Sequence, residues 1–114
     1  MRVDDCGFGW IVIDGRRYER DLILAGGRVI ADWWRKEGHN LGMGDLTAVL
    51  AAAPDVLVIG TGQAERMEVP PETRRALAEK GIALEVYDTA TACQRFNQLA
   101  AAGQRVAAAF HLTC

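Results

Sequence analysis

Four consecutive apolar residues, Val56-Leu57-Val58-Ile59, stand between Asp55 and Gly60 and limit the fold more than any other feature of the chain. A strand with one wet face alternates apolar and polar side chains, so an unbroken run of this kind reads as a strand covered on both faces, as in a parallel sheet. The downstream sequence agrees. Pro70-Pro71-Glu72 opens a helix, with proline where a first-turn N–H needs no partner, and Gly81 follows Lys80 as its stop. A second strand is predicted from Ile82 to Tyr87. Thr89 is placed to cap a helix whose stripe is Ala92, Phe96, Leu99 and Ala100, with Gly103 behind it and a last strand from Arg105 to Phe110. Strand, helix, strand, helix, strand implies a Rossmann-like βαβαβ half with right-handed crossovers.

The first third has a different grammar. Phe8 to Ile13 is aromatic and β-branched, Asp14-Gly15 is a hairpin dipeptide, and Tyr18 lies on the returning arm. Leu22-Ile23-Leu24 and Arg28 to Ala31 flank a Gly26-Gly27 turn, which extends the pattern to an antiparallel meander. Asp32 to Gly44 shows no period of two or 3.6 and reads as a partly ordered connecting loop. Asp45 then caps a short helix carrying Leu46, Val49 and Leu50 and ending before Pro54. The predicted class is therefore α/β, with an N-terminal antiparallel meander ahead of the βαβαβ half. At 114 residues, half of them apolar and a quarter charged, residues 1–114 are expected to share one core as a single domain.

Charge and cysteine usage narrow the partners. A net charge of -2 supplies no field for a polyanion, so nucleic acid is not an expected partner. No stretch approaches the ~18 apolar residues of a membrane span, and Met1 to Asp5 runs into acidic residues without an apolar signal core. Cys6, Cys93 and Cys114 form no C-x-x-C pair, which argues against a disulfide framework or zinc ribbon and for a reducing cytoplasm. No cofactor or metal is expected. His111-x-x-Cys114 is at best half a metal site, and Cys93, beside its helix's core stripe, reads as a buried inert thiol.

Ligands of open parallel sheets bind beyond the carboxyl ends of the strands. Gly60, Thr61, Gly62 and Gln63 follow the first parallel strand and Asp88 the second, with Asn97 on the next helix. The stretch matches neither a Walker loop nor a dinucleotide fingerprint, and Glu72 already answers the dipole of the next helix. Arg66 could hold an anion near Thr61 and Gln63, or sit in solvent beside Glu65 or Glu68. The second candidate surface is Trp33, Trp34, Arg35 and His39. Two adjacent indoles cannot both face one core, so either one is exposed for a partner or the loop folds back over a sheet edge and buries both.

The series Trp34-Arg35-x-x-Gly38-His39, Val56 to Gly62, Val69 to Thr73, Gly81-Ile82, Asp88-Thr89-x-x-Ala92-Cys93, Phe96-Asn97 and Phe110-His111-x-Thr113-Cys114 resembles one small domain family. That family includes the adipogenesis-associated domain protein of animals, archaeal and bacterial proteins of unknown function, and a mitochondrial assembly factor of respiratory complex I. The resemblance implies a three-layer β/β/α domain with a mixed sheet, and brings no established catalytic residues.

Two functions compete. The absence of a nucleophile, base and orienting group at workable spacing favours a non-enzymatic interaction or assembly module with a protein partner, contacted through the Trp33 to Asn40 loop. The rival is a binder or enzyme for a small metabolite or anion, using the Gly60 to Arg66 loop with Asp88 and Asn97. A homo-oligomer formed through an exposed sheet edge is compatible with either.

Overall fold

The computed structural model describes all 114 residues. Strands β1 (Val3–Gly7), β2 (Trp10–Ile13) and β3 (Arg16–Tyr18) form a three-stranded antiparallel sheet. Strands β4 (Leu22–Ala25), β5 (Arg28–Ile30), β6 (Val56–Thr61), β7 (Ala83–Tyr87) and β8 (Val106–His111) form a second sheet in the order β5-β4-β8-β6-β7. Within it β6 pairs in parallel with β7 and β8, while β4 runs antiparallel to β8. Helices α1 (Thr47–Ala52), α2 (Pro71–Glu79) and α3 (Thr89–Ala101) complete the domain.

The period-two alternation of side chains divides the core into two halves, one on each face of the large sheet. Leu22, Leu24, Val58, Ala108 and Phe110 point to one face and pack with α3 and with Val3, Ile11 and Ile13 of the small sheet. Ile23, Ala25, Leu57, Ile59, Ala107 and Ala109 point to the other and meet Val49 of α1, Leu77 of α2 and the loop residues Leu41, Leu46 and Met67. The result is the three-layer mixed α/β architecture, with the doubly covered strand at β6 as its sequence requires.

Several expectations need correction. The meander is not continuous: β1–β3 curl into their own sheet, whereas the β4–β5 hairpin joins the large one, because all four residues of β4 are buried and need cover on both faces. The strand expected over Phe8 to Ile13 begins only at Trp10, with Phe8 in the turn before it, 63% exposed, and a strand that was not expected, β1, precedes that turn, its Val3 turned inward against Ile13 while Asp4 and Asp5 stay exposed. The cap of α3 is Asp88, whose carboxylate accepts from the Thr91 amide, while the Thr89 hydroxyl is buried and joins β6 to β8.

The segment expected to be a partly ordered connection is firmly tied. The amide of Trp33 donates to the Asp21 carbonyl at 2.8 Å, and Leu41 and Glu68 donate to Glu68 and His39 carbonyls at 2.9 and 2.8 Å. Asp45 does not begin α1. It lies in a 3-10 turn, Met43–Leu46, where its carboxylate accepts from the amides of Gly42 and Lys36.

Candidate functional site

The sheet places its topological switch between β6 and β8, because the chain leaves β6 for β7 on one side and returns to β8 on the other. Residues 112–114 lie across this crevice. The Gln63 amide donates to the Thr113 carbonyl at 2.7 Å and the Arg66 amide to the Cys114 carbonyl at 2.8 Å. Gly62, at φ +99°, lets that backbone close in: a β-carbon there would collide with the Cys114 carbonyl group. Gly62→Ala is expected to cost about 2–4 kcal/mol, combining left-handed strain with overpacking. Denaturant unfolding measures the loss, and faster hydrogen exchange at the Gln63 and Arg66 amides would show residues 113–114 displaced.

The proposed ligand residues do not converge. Gly60 packs against Thr89 and Phe110, leaving 3.0–3.1 Å for any β-carbon. Thr61 is buried and donates to the Tyr87 carbonyl, whereas the side chains of Gln63 and Arg66 are exposed. Asp88 is engaged as the cap of α3. Asn97 clamps β1, donating to the Val3 carbonyl at 2.7 Å and accepting from the Val3 amide at 2.9 Å.

A different cluster forms at the same end of the sheet. Asp21, immediately before β4, accepts from the Leu112 amide at 2.8 Å and stands 2.7 Å from His111 Nδ1 and 2.9 Å from Arg35 Nη2. The short contact to a carboxylate requires the proton on Nδ1, so the 3.1 Å approach of Arg35 Nη2 to that nitrogen is proximity and not a second hydrogen bond. Arg35 and His111 are 8% and 6% exposed. Burial alone would raise the Asp21 pKa, but hydrogen bonds from His111, Leu112 and Arg35, with the His111 charge, outweigh it and hold the carboxyl below its ordinary range.

This cluster anchors the Trp33 to Asn40 loop. The Arg35 guanidinium lies 4.6 Å from the Trp33 ring centroid and donates through Nε to the Gly38 carbonyl. The Trp33 indole N–H donates to the Asp45 carbonyl, and His39 meets His111 edge-on at 5.5 Å. Of the four candidate residues in this loop, Trp33 and Arg35 thus face inward, while Trp34, 77% exposed, and His39 face solvent. An Asp–His pair can orient a general base, but His111 Nε2 is buried with no protein hydrogen-bond partner, as is Arg35 Nη1. The arrangement is a clamp that fixes a loop. Asp21 itself is invisible in the sequence, being a lone acid before an apolar run whose partners lie far along the chain.

Comparison with known proteins agrees with this architecture. A solved protein of Bordetella parapertussis superposes with a TM-score of 0.81 at 31% identity, over 96% of this chain and 92% of that one. A conserved hypothetical protein of Pyrococcus horikoshii gives 0.80 at 25% identity over the whole of both chains. In sequence, the chain is 39% identical over 71 residues to the NADH dehydrogenase [ubiquinone] 1 alpha subcomplex assembly factor 3 of Xenopus tropicalis, covering 61% of this chain and 38% of that protein. The chain spans less than two fifths of such curated relatives. The model of the family described as "Protein of unknown function (DUF498/DUF598)" matches residues 3–111, and the chain belongs to that family.

Proposed function

We propose that the protein is a non-enzymatic interaction module serving the assembly of a larger protein complex, with Trp34 as its principal contact. The observation that carries this reading is a large indole held 77% exposed on backbone that the buried Asp21–Arg35–His111 cluster makes rigid. Little side-chain and loop entropy then remains to be lost on docking, which favours affinity. Phe8, the other strongly exposed aromatic, leaves a turn whose Gly9 amide donates to the Leu112 carbonyl, so both rings project from segments tied to the end of β8.

The similarity to an assembly factor for NADH dehydrogenase supports the same class of role, and the partner proposed is a subunit of such a complex. No helix is long and apolar enough to cross a membrane. A reducing cytoplasm is the compartment proposed for the encounter with that partner.

The test is co-purification of tagged protein with NADH dehydrogenase subunits from its own cells, with the complex then reconstituted for titration. A tryptophan anchor contributes about 2 kcal/mol or more, so Trp34→Ala should weaken binding at least ~30-fold. The variant's melting temperature should be unchanged. Equal affinity of the two proteins would overturn the assignment.

A further inference from the structure

Cys6 and Cys93 are 87 positions apart in the chain, yet they line one surface pocket of about 290 Å³ together with Asp4, Asp5, Gln94 and Asn97. A β-bulge brings them together. In a regular strand Val3 and Cys6, an odd number of residues apart, would face opposite sides. The register of β1 shifts between Val3 and Asp5, so Val3 stands opposite Ile13 and Cys6 opposite Ile11, both core positions. Cys6 therefore turns toward α3, where Asn97 already grips Val3 and Cys93 lies one helical turn earlier.

The two thiols line the same pocket wall. Hydrogen bonding from Cys93 lowers the Cys6 pKa to about 7, against opposition from burial and the nearby Asp5 and Asp88 carboxylates. Cys93 is shifted far upward, by that contact with Cys6 first and by burial second, so it keeps its proton. Cys6 is half-buried and Cys93 buried. One is placed as an accessible thiolate and the other as a sheltered thiol behind it.

We propose that Cys6 and Cys93 are a redox-active pair which closes to an intramolecular disulfide between β1 and α3 on reaction with a hydroperoxide. The Cys6 thiolate attacks a peroxide oxygen, the O–O bond breaks, and with one proton the products are Cys6 sulfenic acid and water or an alcohol. The Cys93 sulfur then attacks the Cys6 sulfur, its proton and the sulfenic hydroxyl leave as water, and two electrons have passed from the thiols to the peroxide. An uncharged oxidant suits the site, because Asp4, Asp5 and Asp88 surround the Cys6 thiolate with negative charge. A thiol held below its ordinary 9.0 is more ionised at pH 7 than a free one, which outweighs its lower intrinsic nucleophilicity.

The experiment treats folded Cys114→Ser protein, which removes the exposed third thiol, with hydrogen peroxide at pH 7. The expected result is loss of both remaining thiols in a monomeric product, a Cys6–Cys93 linked peptide by mass spectrometry, and full recovery with dithiothreitol. In Cys6→Ser protein, Cys93 should resist the same treatment. In Cys93→Ala protein, Cys6 should stop at a sulfenic acid trapped by dimedone, with its alkylation midpoint moved upward from 7. Persistence of both thiols, cross-links only between chains, or oxidation of Cys6 to sulfinic acid while Cys93 stays free would each overturn the proposal.

Discussion

Replacing Asp21 with alanine is expected to destabilise the protein by about 3–5 kcal/mol, because it strands two buried partners and leaves the Arg35 charge uncompensated. The side chains of Arg35 and His111 are only 6% and 7% exposed, so neither can exchange its lost partner for bulk water without opening the structure. For a chain of this length total stability is on the order of 6–17 kcal/mol, and the loss is a large share of it. Denaturant titration of Asp21→Ala, Arg35→Ala and the double variant gives the coupling between the two charges. The double variant should cost clearly less than the sum of the singles. Additive losses would mean that the ion pair holds nothing together.

The same carboxylate predicts an acid limit. Its folded pKa is depressed, so its contribution is fully present above the unfolded value of about 3.8 and is lost as pH falls through the lower folded value. Stability should therefore fall more steeply below about pH 4 in the wild type than in Asp21→Ala, whose curve lacks this group. Parallel curves over that window would contradict the assigned hydrogen bonds.

Phe110→Ala is expected to cost about 3–5 kcal/mol for a different reason, the cavity it opens and the apolar packing it removes at the centre of the sheet. Phe110 is fully buried on β8 and meets Phe96 of α3 edge-on at 6.4 Å between centroids. It joins the large sheet to α3 within the half of the core that also carries the small sheet. Phe8→Ala is the matched control, since Phe8 is 63% exposed and its loss should stay within about 0.5 kcal/mol. A Phe110→Ala penalty no larger than that of Phe8→Ala would show this half of the core to be loosely packed.

The strands and helices of the second half were largely legible from residues near one another in sequence, whereas the three layers were implied by the family resemblance. Val56 to Ile59 has no polar position, and the structure covers both of its faces. Pro70 and Pro71 open α2 and Gly81 follows it, each a local consequence of a missing N–H or a positive φ. The division of the meander was less legible. A hairpin such as β4–β5 can be read from its turn, but which sheet it joins depends on the unpaired edge of β8, formed some 80 residues later.

The candidate site was only partly readable. The exposed indole could be suspected from Trp33-Trp34, but that Trp34 is the exposed one follows from Arg35 turning inward to cover Trp33. The carboxyl ends of the strands were the natural place for a ligand, yet residues 112–114 lie over Gly62 there. No residue pattern announces such a crossing.

Sequence by itself determined the strands and helices of the second half, the hairpin turns at Asp14-Gly15 and Gly26-Gly27 and the apolar stripe of α3, because periodicity and turn geometry act over a few neighbouring residues. Only the tertiary structure decided that Asp21, Arg35 and His111 share one buried cluster and that a bulge turns Cys6 toward Cys93. The physical reason is one of range. Arg35 and His111 are 76 positions apart, Asp21 and His111 90, and nothing local records whom a lone charge or thiol will meet. That pairing exists only after both halves of the core have closed on the sheet.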